Sequence, residues 1–200
     1  MDEKGYLKFQ CHWSKSGPIE EELIKDLNSW RNKLYQKSWI GAFPNGIGFG
    51  NISIRVIGNI FLITGTETGK LQVLTNEHYS KVVAYNLEKN AITCLGPVKA
   101  SSESLSHAAI YNKIPTVNAI MHIHSKDLWE SLKNVEPTTA PEVEYGTPEM
   151  AREIVRLFKE TDLANKKVLV MGGHEDGIIS FGHDLDEAGE RLLQLSTRKK

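Results

Sequence analysis

The sequence predicts an α/β domain in which helices layer onto a mostly antiparallel sheet. Three observations predict it. Apolar residues recur at helical spacing in some segments, as at Ile19, Leu23, Leu27, Trp30 and Leu34. They alternate with period two in others, as in Asn51-Ile52-Ser53-Ile54-Arg55-Val56. The two kinds of segment mix without strict βαβ alternation, which argues against a doubly wound parallel sheet.

Along the chain, 18–35 reads as a helix, with Pro18 suited to its first turn. Glycine and proline make 41–50 a loop. Strands at 51–56 and 60–63 form a hairpin across Gly58-Asn59. A polar loop follows at 64–69. The segment 74–85 is expected to hold a short helix starting near Thr75, with Asn76 and Glu77 in its first turn. A strand at 91–95, a helix at 102–113 and a strand at 116–124 come next. The stretch 134–145 holds Pro137 and Pro141 and reads as a long loop, a feature that is often functional in a compact domain. A helix at 148–160, strands at 168–171 and 178–181 around Gly172-Gly173-His174, and a helix at 185–195 complete the order.

The 200 residues fit one domain, 1–200, with a sizeable core. Hydrophobic residues make up 40% and charged residues 24%, an ordinary globular mix. With a net charge of -1 and interspersed signs, nothing suggests a nucleic-acid partner. No apolar run approaches the roughly 20 residues of a membrane helix, and no signal peptide opens the chain. Cys11 and Cys94 match no zinc or redox spacing. A reducing cytoplasm is the expected compartment.

His122 and His124 carry the sharpest local signal. Residues i and i+2 of a strand share a face, so both imidazoles project together from an otherwise apolar segment. They need a partner, and a shared cation supplies one; core hydrogen bonds are the other reading. A catalytic zinc site takes three protein ligands. His174 follows two glycines that let the backbone turn tightly, although an isolated turn histidine is ordinary. His183, His78 and His12 read as cap, helix or exposed residues. Glu103 opens a helix four residues before His107. It either favours the helix dipole or reaches a metal as acid and base. Gly50-Asn51, Ser101-Ser102 and the loop 64–69 offer hydroxyls and backbone N–H groups suited to an anion such as phosphate, as well as to caps and turns.

In order, the blocks Gly50-Asn51-Ile52-Ser53-Ile54-Arg55, Leu62-Ile63-Thr64-Gly65-Thr66, Ser101-Ser102-Glu103 with His107, Ala119-Ile120-Met121-His122-Ile123-His124 and Gly173-His174 resemble the class II aldolase/adducin family. The resemblance spans about residues 19 to 195. It implies a three-layer α/β/α sandwich with a central, mostly antiparallel sheet. It implies that His122, His124 and His174 bind one divalent metal ion per subunit, zinc above all. Glu103 would be a fourth ligand and the acid/base. Gly50, Asn51, Thr66, Ser101 and Ser102 fall where sugar-phosphate members bind phosphate, and fourfold tetramers are common in the family.

Several departures accompany it. Glu175 and Asp176 stand between the third histidine and Gly177, which makes Asp176 a possible extra ligand. The longer glycine-threonine loop lets Thr68-Gly69 take the place of Thr66, and Ala100 replaces a common proline. No counterpart is expected of the C-terminal tail that carries a catalytic tyrosine in the family's aldolases.

The implied activity is a zinc-dependent lyase of the aldolase type. It would act on a small sugar or ketose phosphate through a metal-stabilised enediolate. An epimerase or dehydratase would use the same site. A non-catalytic, adducin-like assembly domain is the reading from another class.

Overall fold

A computed structural model describes residues 9–197. Its main sheet has eight strands: β1 (Gln10–Lys15), β4 (Asn51–Ile57), β5 (Ile60–Thr64), β6 (Tyr79–Asn86), β7 (Ala91–Gly96), β8 (Ala119–His124), β9 (Val168–Val170) and β10 (Gly177–Gly182). They lie in the order β1-β7-β6-β5-β4-β8-β10-β9. Only β1 runs parallel to its neighbour; every other pairing is antiparallel. The six α-helices among the described residues are α1 (Glu21–Gln36), α2 (Ser104–Lys113), α3 (Lys126–Leu132), α4 (Pro148–Glu160), α5 (Leu163–Lys166) and α6 (Leu185–Thr197).

The period-two alternation divides the sheet into two apolar faces. Ile52, Leu62, Met121, Ile123, Val170 and Ile178 pack with residues of α1, α3 and α6. Phe61, Ile63, Ile120, Leu169, Ile179 and Phe181 pack with residues of α2 and α4. All six residues of β8 are buried, because that strand is paired on both edges and covered on both faces.

The largest correction concerns 74–85. The expected helix is a single 3₁₀ turn, Asn76–His78, in which the Thr75 hydroxyl accepts the Glu77 N–H. The chain then runs into β6. Tyr79, Val82, Val83 and Tyr85 suit a pleated surface, and pairing with both β5 and β7 outweighs the local helix signal. The first helix starts at Glu21, so Pro18 lies ahead of it and Ile19 donates its N–H to the Asn76 carbonyl. Sequence patterning also missed β1, a largely exposed edge strand, and the short α3 and α5. Inside the loop 41–50, β2 (Gly41–Ala42) and β3 (Gly48–Phe49) form a two-stranded ribbon.

Two further arrangements join separate segments. Cys11 and Cys94 are remote in sequence but bring their Sγ atoms to 3.4 Å across β1 and β7. The loop 134–145 lies against β9, where Thr139 donates its N–H to the Val170 carbonyl and Val170 to that of Pro137. No helix among the described residues is long and apolar enough to cross a membrane.

Candidate metal centre

β8 carries His122 and His124 on the face that Ile120 shares with α2. Across the neighbouring strands, His122 pairs with Asn51 of β4 and with Ile179 of β10. His174 reaches the pair from the β9–β10 turn. Ring centroids lie 4.9 Å apart for His122 and His124, 5.5 Å for His122 and His174, and 4.6 Å for His124 and His174. One ring nitrogen from each of the three lies within 4.8 Å of the others.

The turn that delivers His174 is built by close backbone contacts. A Cβ on Gly172 would meet the Thr139 carbonyl oxygen at 2.1 Å, and one on Gly173 the Val143 oxygen at 2.1 Å. Both glycines therefore admit the loop 134–145 as well as letting the chain bend. Asp176, one of the two residues between His174 and Gly177, adopts a left-handed φ of 66°. The Asp176 carbonyl accepts the Ser125 N–H, and the residue is not among those grouped with the three histidines.

Glu103 stands at the N-cap of α2, yet its side chain makes no cap hydrogen bond. It turns toward the histidines instead. Its Oε2 lies 2.8 Å from His122 Nδ1 and its Oε1 3.6 Å from His174 Nε2. Burial works to raise the Glu103 carboxyl pKa, but the fields and hydrogen bonds of His122 and His174 outweigh it and hold the group well below the usual carboxylate range. Burial pushes His124 down to about 2, assisted by His122 and His174, so its ring is neutral and has a lone pair to offer a metal. His107 sits behind the cluster with Nδ1 2.7 Å from Ser53 Oγ, which also contacts the Tyr111 hydroxyl at 2.8 Å. Burial, with His122, lowers His107 to about 3.

Within this cluster Nε2 of His122 and both ring nitrogens of His124 are buried without a hydrogen-bond partner, and Nε2 of His174 has only the Glu103 carboxylate, 3.6 Å away. Each such group costs about 1–3 kcal/mol if left unsatisfied. A divalent cation satisfies several together, and a donor set of three imidazoles and a carboxylate suits zinc chemistry. The three histidines could therefore hold a metal ion.

Beside them opens a cavity of about 420 Å³, whose walls include Gly50, Asn51, Thr66, Ser101, Ser102, Glu103, His124 and His174. The five residues expected at an anion site are thus brought to one surface with the histidines. Asn51 Nδ2 also lies 3.2 Å from His122 Nδ1. Gly50 is held at φ 75°, where a Cβ would meet Ile40 Cγ1 at 2.8 Å. The Thr68 hydroxyl is committed to the Gly65 carbonyl, while Thr66 faces the cavity.

Sequence patterning missed the aromatic rim. Tyr145 stacks 4.2 Å from the His174 ring, and Phe43 and Phe49 lie 5.6 and 5.2 Å from His124. Aromatics inside glycine-rich or proline-rich loops were the available signal.

A family model described as Class II Aldolase and Adducin N-terminal domain matches residues 31–198. The chain is 27% identical over 175 residues to a 3-oxo-tetronate 4-phosphate decarboxylase of Haemophilus influenzae, covering 76% of each chain. It is 28% identical over 181 residues to an L-fuculose phosphate aldolase of Methanocaldococcus jannaschii, covering 84% of this chain and 88% of that one. Its fold is similar to the crystal structure of L-fuculose-1-phosphate aldolase from Thermus thermophilus, with a TM-score of 0.63 at 22% identity over 88% of this chain and 90% of that one. Ordered motifs, a three-histidine cluster beside a hydroxyl-lined cavity, and these likenesses agree: the chain belongs to the class II aldolase and adducin N-terminal domain family.

Proposed function

We propose that this chain is a zinc-dependent lyase of the aldolase type that cleaves a carbon–carbon bond beside the carbonyl of a small sugar or ketose phosphate. The observation that carries the reading is the cluster of His122, His124 and His174, with Glu103 against it, beside a cavity walled by Asn51, Thr66, Ser101 and Ser102. His122, His124 and His174 would hold the ion, with Glu103 as fourth ligand. When bound, the cation withdraws electrons from the substrate carbonyl and favours the negative charge left by bond cleavage.

The remaining steps belong to the protein. Gly50, Asn51, Thr66, Ser101 and Ser102 bind the phosphate through neutral donors. Glu103 is ionised; it would take the proton of the hydroxyl on the departing carbon, which becomes a carbonyl as the carbon–carbon bond breaks, and deliver that proton to the enediolate carbon. The aromatic rim excludes water from the reacting carbons. Decarboxylation is a second reading, favoured by the 3-oxo-tetronate 4-phosphate decarboxylase relative. It breaks the same kind of bond and leaves the same charge. Epimerisation or dehydration on this framework would also begin from that charge.

The two apolar faces of the sheet support a three-layer α/β/α sandwich over 1–200 as one domain. Half-exposed Phe43, Ile47 and Tyr145 at the cavity mouth support a homo-oligomer, a tetramer by family resemblance; the cytoplasm is the compartment proposed for it.

The test is metal analysis of the purified chain, then a screen of ketose phosphates and 3-oxo acid phosphates with metal present and chelated. Stoichiometric zinc with chelator-sensitive cleavage is expected. Absence of bound metal, together with a His122→Ala variant altered only in stability, would overturn the enzyme reading in favour of an adducin-like assembly domain.

A further inference from the structure

The cavity beside the histidines is short of positive charge. Among the described residues no lysine or arginine lines it, whereas Glu67 and Glu103 do; the Glu67 carboxylate is paired with Lys70 at 3.8 Å, which leaves no surplus positive charge there. A phosphate ester carries close to two negative charges at neutral pH. Neutral hydroxyls and amides can orient such a group but leave much of its charge uncompensated.

Arg31 of α1 presents the opposite imbalance. It is only 1% exposed, and burial lowers its pKa from the usual arginine value. The groups acting on it electrostatically are Tyr79 and Tyr35, with no carboxylate among them. Its guanidinium donates only to backbone: Nη1 to the Gln72 carbonyl at 2.9 Å, and Nη2 to those of Gly69 at 3.0 Å and Thr68 at 3.2 Å. A guanidinium stays charged even when buried; this one lies over the Tyr35 ring, 4.5 Å from its centroid, but faces no carboxylate, and a buried charge without a counter-charge is costly. Gly69 itself lines the cavity, so one peptide separates the guanidinium from the cavity wall. Across a trans peptide C=O and N–H point in opposite directions. Carbonyls drawn toward Arg31 therefore turn the positive ends of those peptides away from it.

We propose that Arg31 is the positive charge of the anion end of this cavity, a positioning residue that acts through the loop 66–72 and selects phosphorylated over neutral substrates. The proposal rests on the anion-binding reading of the cavity. The charge lies within a Debye length of a group bound against Gly69, behind a buried wall where solvent screens it poorly.

The test is calorimetric titration of inorganic phosphate into the zinc-loaded full chain, in wild type, Arg31→Gln and Arg31→Lys. Glutamine keeps a donor for the carbonyls and loses the charge; lysine keeps the charge and loses the fork. Phosphate affinity should fall on the order of tenfold in Arg31→Gln, with zinc stoichiometry unchanged, and should be largely rescued in Arg31→Lys. A buried amine has a depressed pKa. In Arg31→Lys, phosphate affinity should thus decline between neutral and alkaline pH beyond any decline in wild type, a readout independent of how well Arg31→Gln folds. If wild type binds phosphate and both variants match it at every pH, Arg31 is a structural anchor and the proposal is wrong. If wild type binds no phosphate, the anion reading of the cavity fails first, and Arg31 falls with it.

Discussion

Glu103 shows how a single side chain is assigned by its surroundings. From sequence it could serve the helix dipole or a metal. The absence of a side-chain cap bond and the 2.8 Å approach to His122 place its carboxylate in the histidine cluster. Replacing it by glutamine keeps the shape and removes the proton acceptor. Glu103→Gln should retain most of the bound metal and lower kcat by about 10²–10⁴-fold; loss of metal in that variant would make Glu103 an indispensable ligand instead. His107 yields a second residue-scale prediction. Its folded pKa of about 3 lies below the ordinary 6.5, so the unfolded chain binds its proton first as pH falls. Its stabilising contribution is complete above about pH 6.5 and is lost progressively toward pH 3. Urea unfolding of wild type and His107→Gln from pH 7.5 to 4.5 should show a shallower loss in the variant.

The β9–β10 turn is the element on which the site depends. Its histidine is placed by contacts made between backbones: Gly172 and Gly173 against the loop 134–145, and left-handed Asp176 inside the turn. A methyl group at Gly173 meets the Val143 carbonyl, which belongs to backbone and cannot rotate aside. Gly173→Ala should destabilise the chain by about 1–3 kcal/mol and weaken metal binding by about 10–100-fold, the range seen when a ligand's support is disturbed. Equilibrium unfolding and competitive zinc titration measure the two effects, and unchanged zinc affinity would contradict this account of the turn. The intervening Glu175-Asp176 was legible as a departure, but the left-handed φ that Asp176 adopts was not. The short helix expected to start near Thr75 is reduced to a single 3₁₀ turn for the converse reason. Thr75, Asn76 and Glu77 do begin a turn, but long-range pairing with β5 and β7 makes the next residues the strand β6.

For the whole molecule, the buried imidazole nitrogens of His122 and His124 without hydrogen-bond partners lead us to expect that the folded chain is stabilised by its ligands. A ligand that binds only the native state adds about 2.7 kcal/mol at a hundredfold excess over its Kd. For a chain of this size that raises Tm by about 5–10 °C. Chelation should lower the melting temperature of the metal-loaded protein by a similar amount, and phosphate added to the loaded protein should raise it further. A melting curve indifferent to both would count against metal and anion sites together.

The histidine pair, the acidic residue at a helix start, the hydroxyl-bearing blocks and the alternation of β8 were all present in the sequence, because they depend on residue type and short periodicity. So was the mostly antiparallel sheet, because apolar spacing distinguishes strands from helices and the two kinds of segment do not alternate as parallel βαβ units do. The approach of Tyr145 to His174, the buried charge of Arg31 behind the loop 66–72 and the meeting of Cys11 with Cys94 were decided only by the tertiary structure. Each joins residues remote in the chain through the packing of separate elements, and local periodicity does not determine that packing.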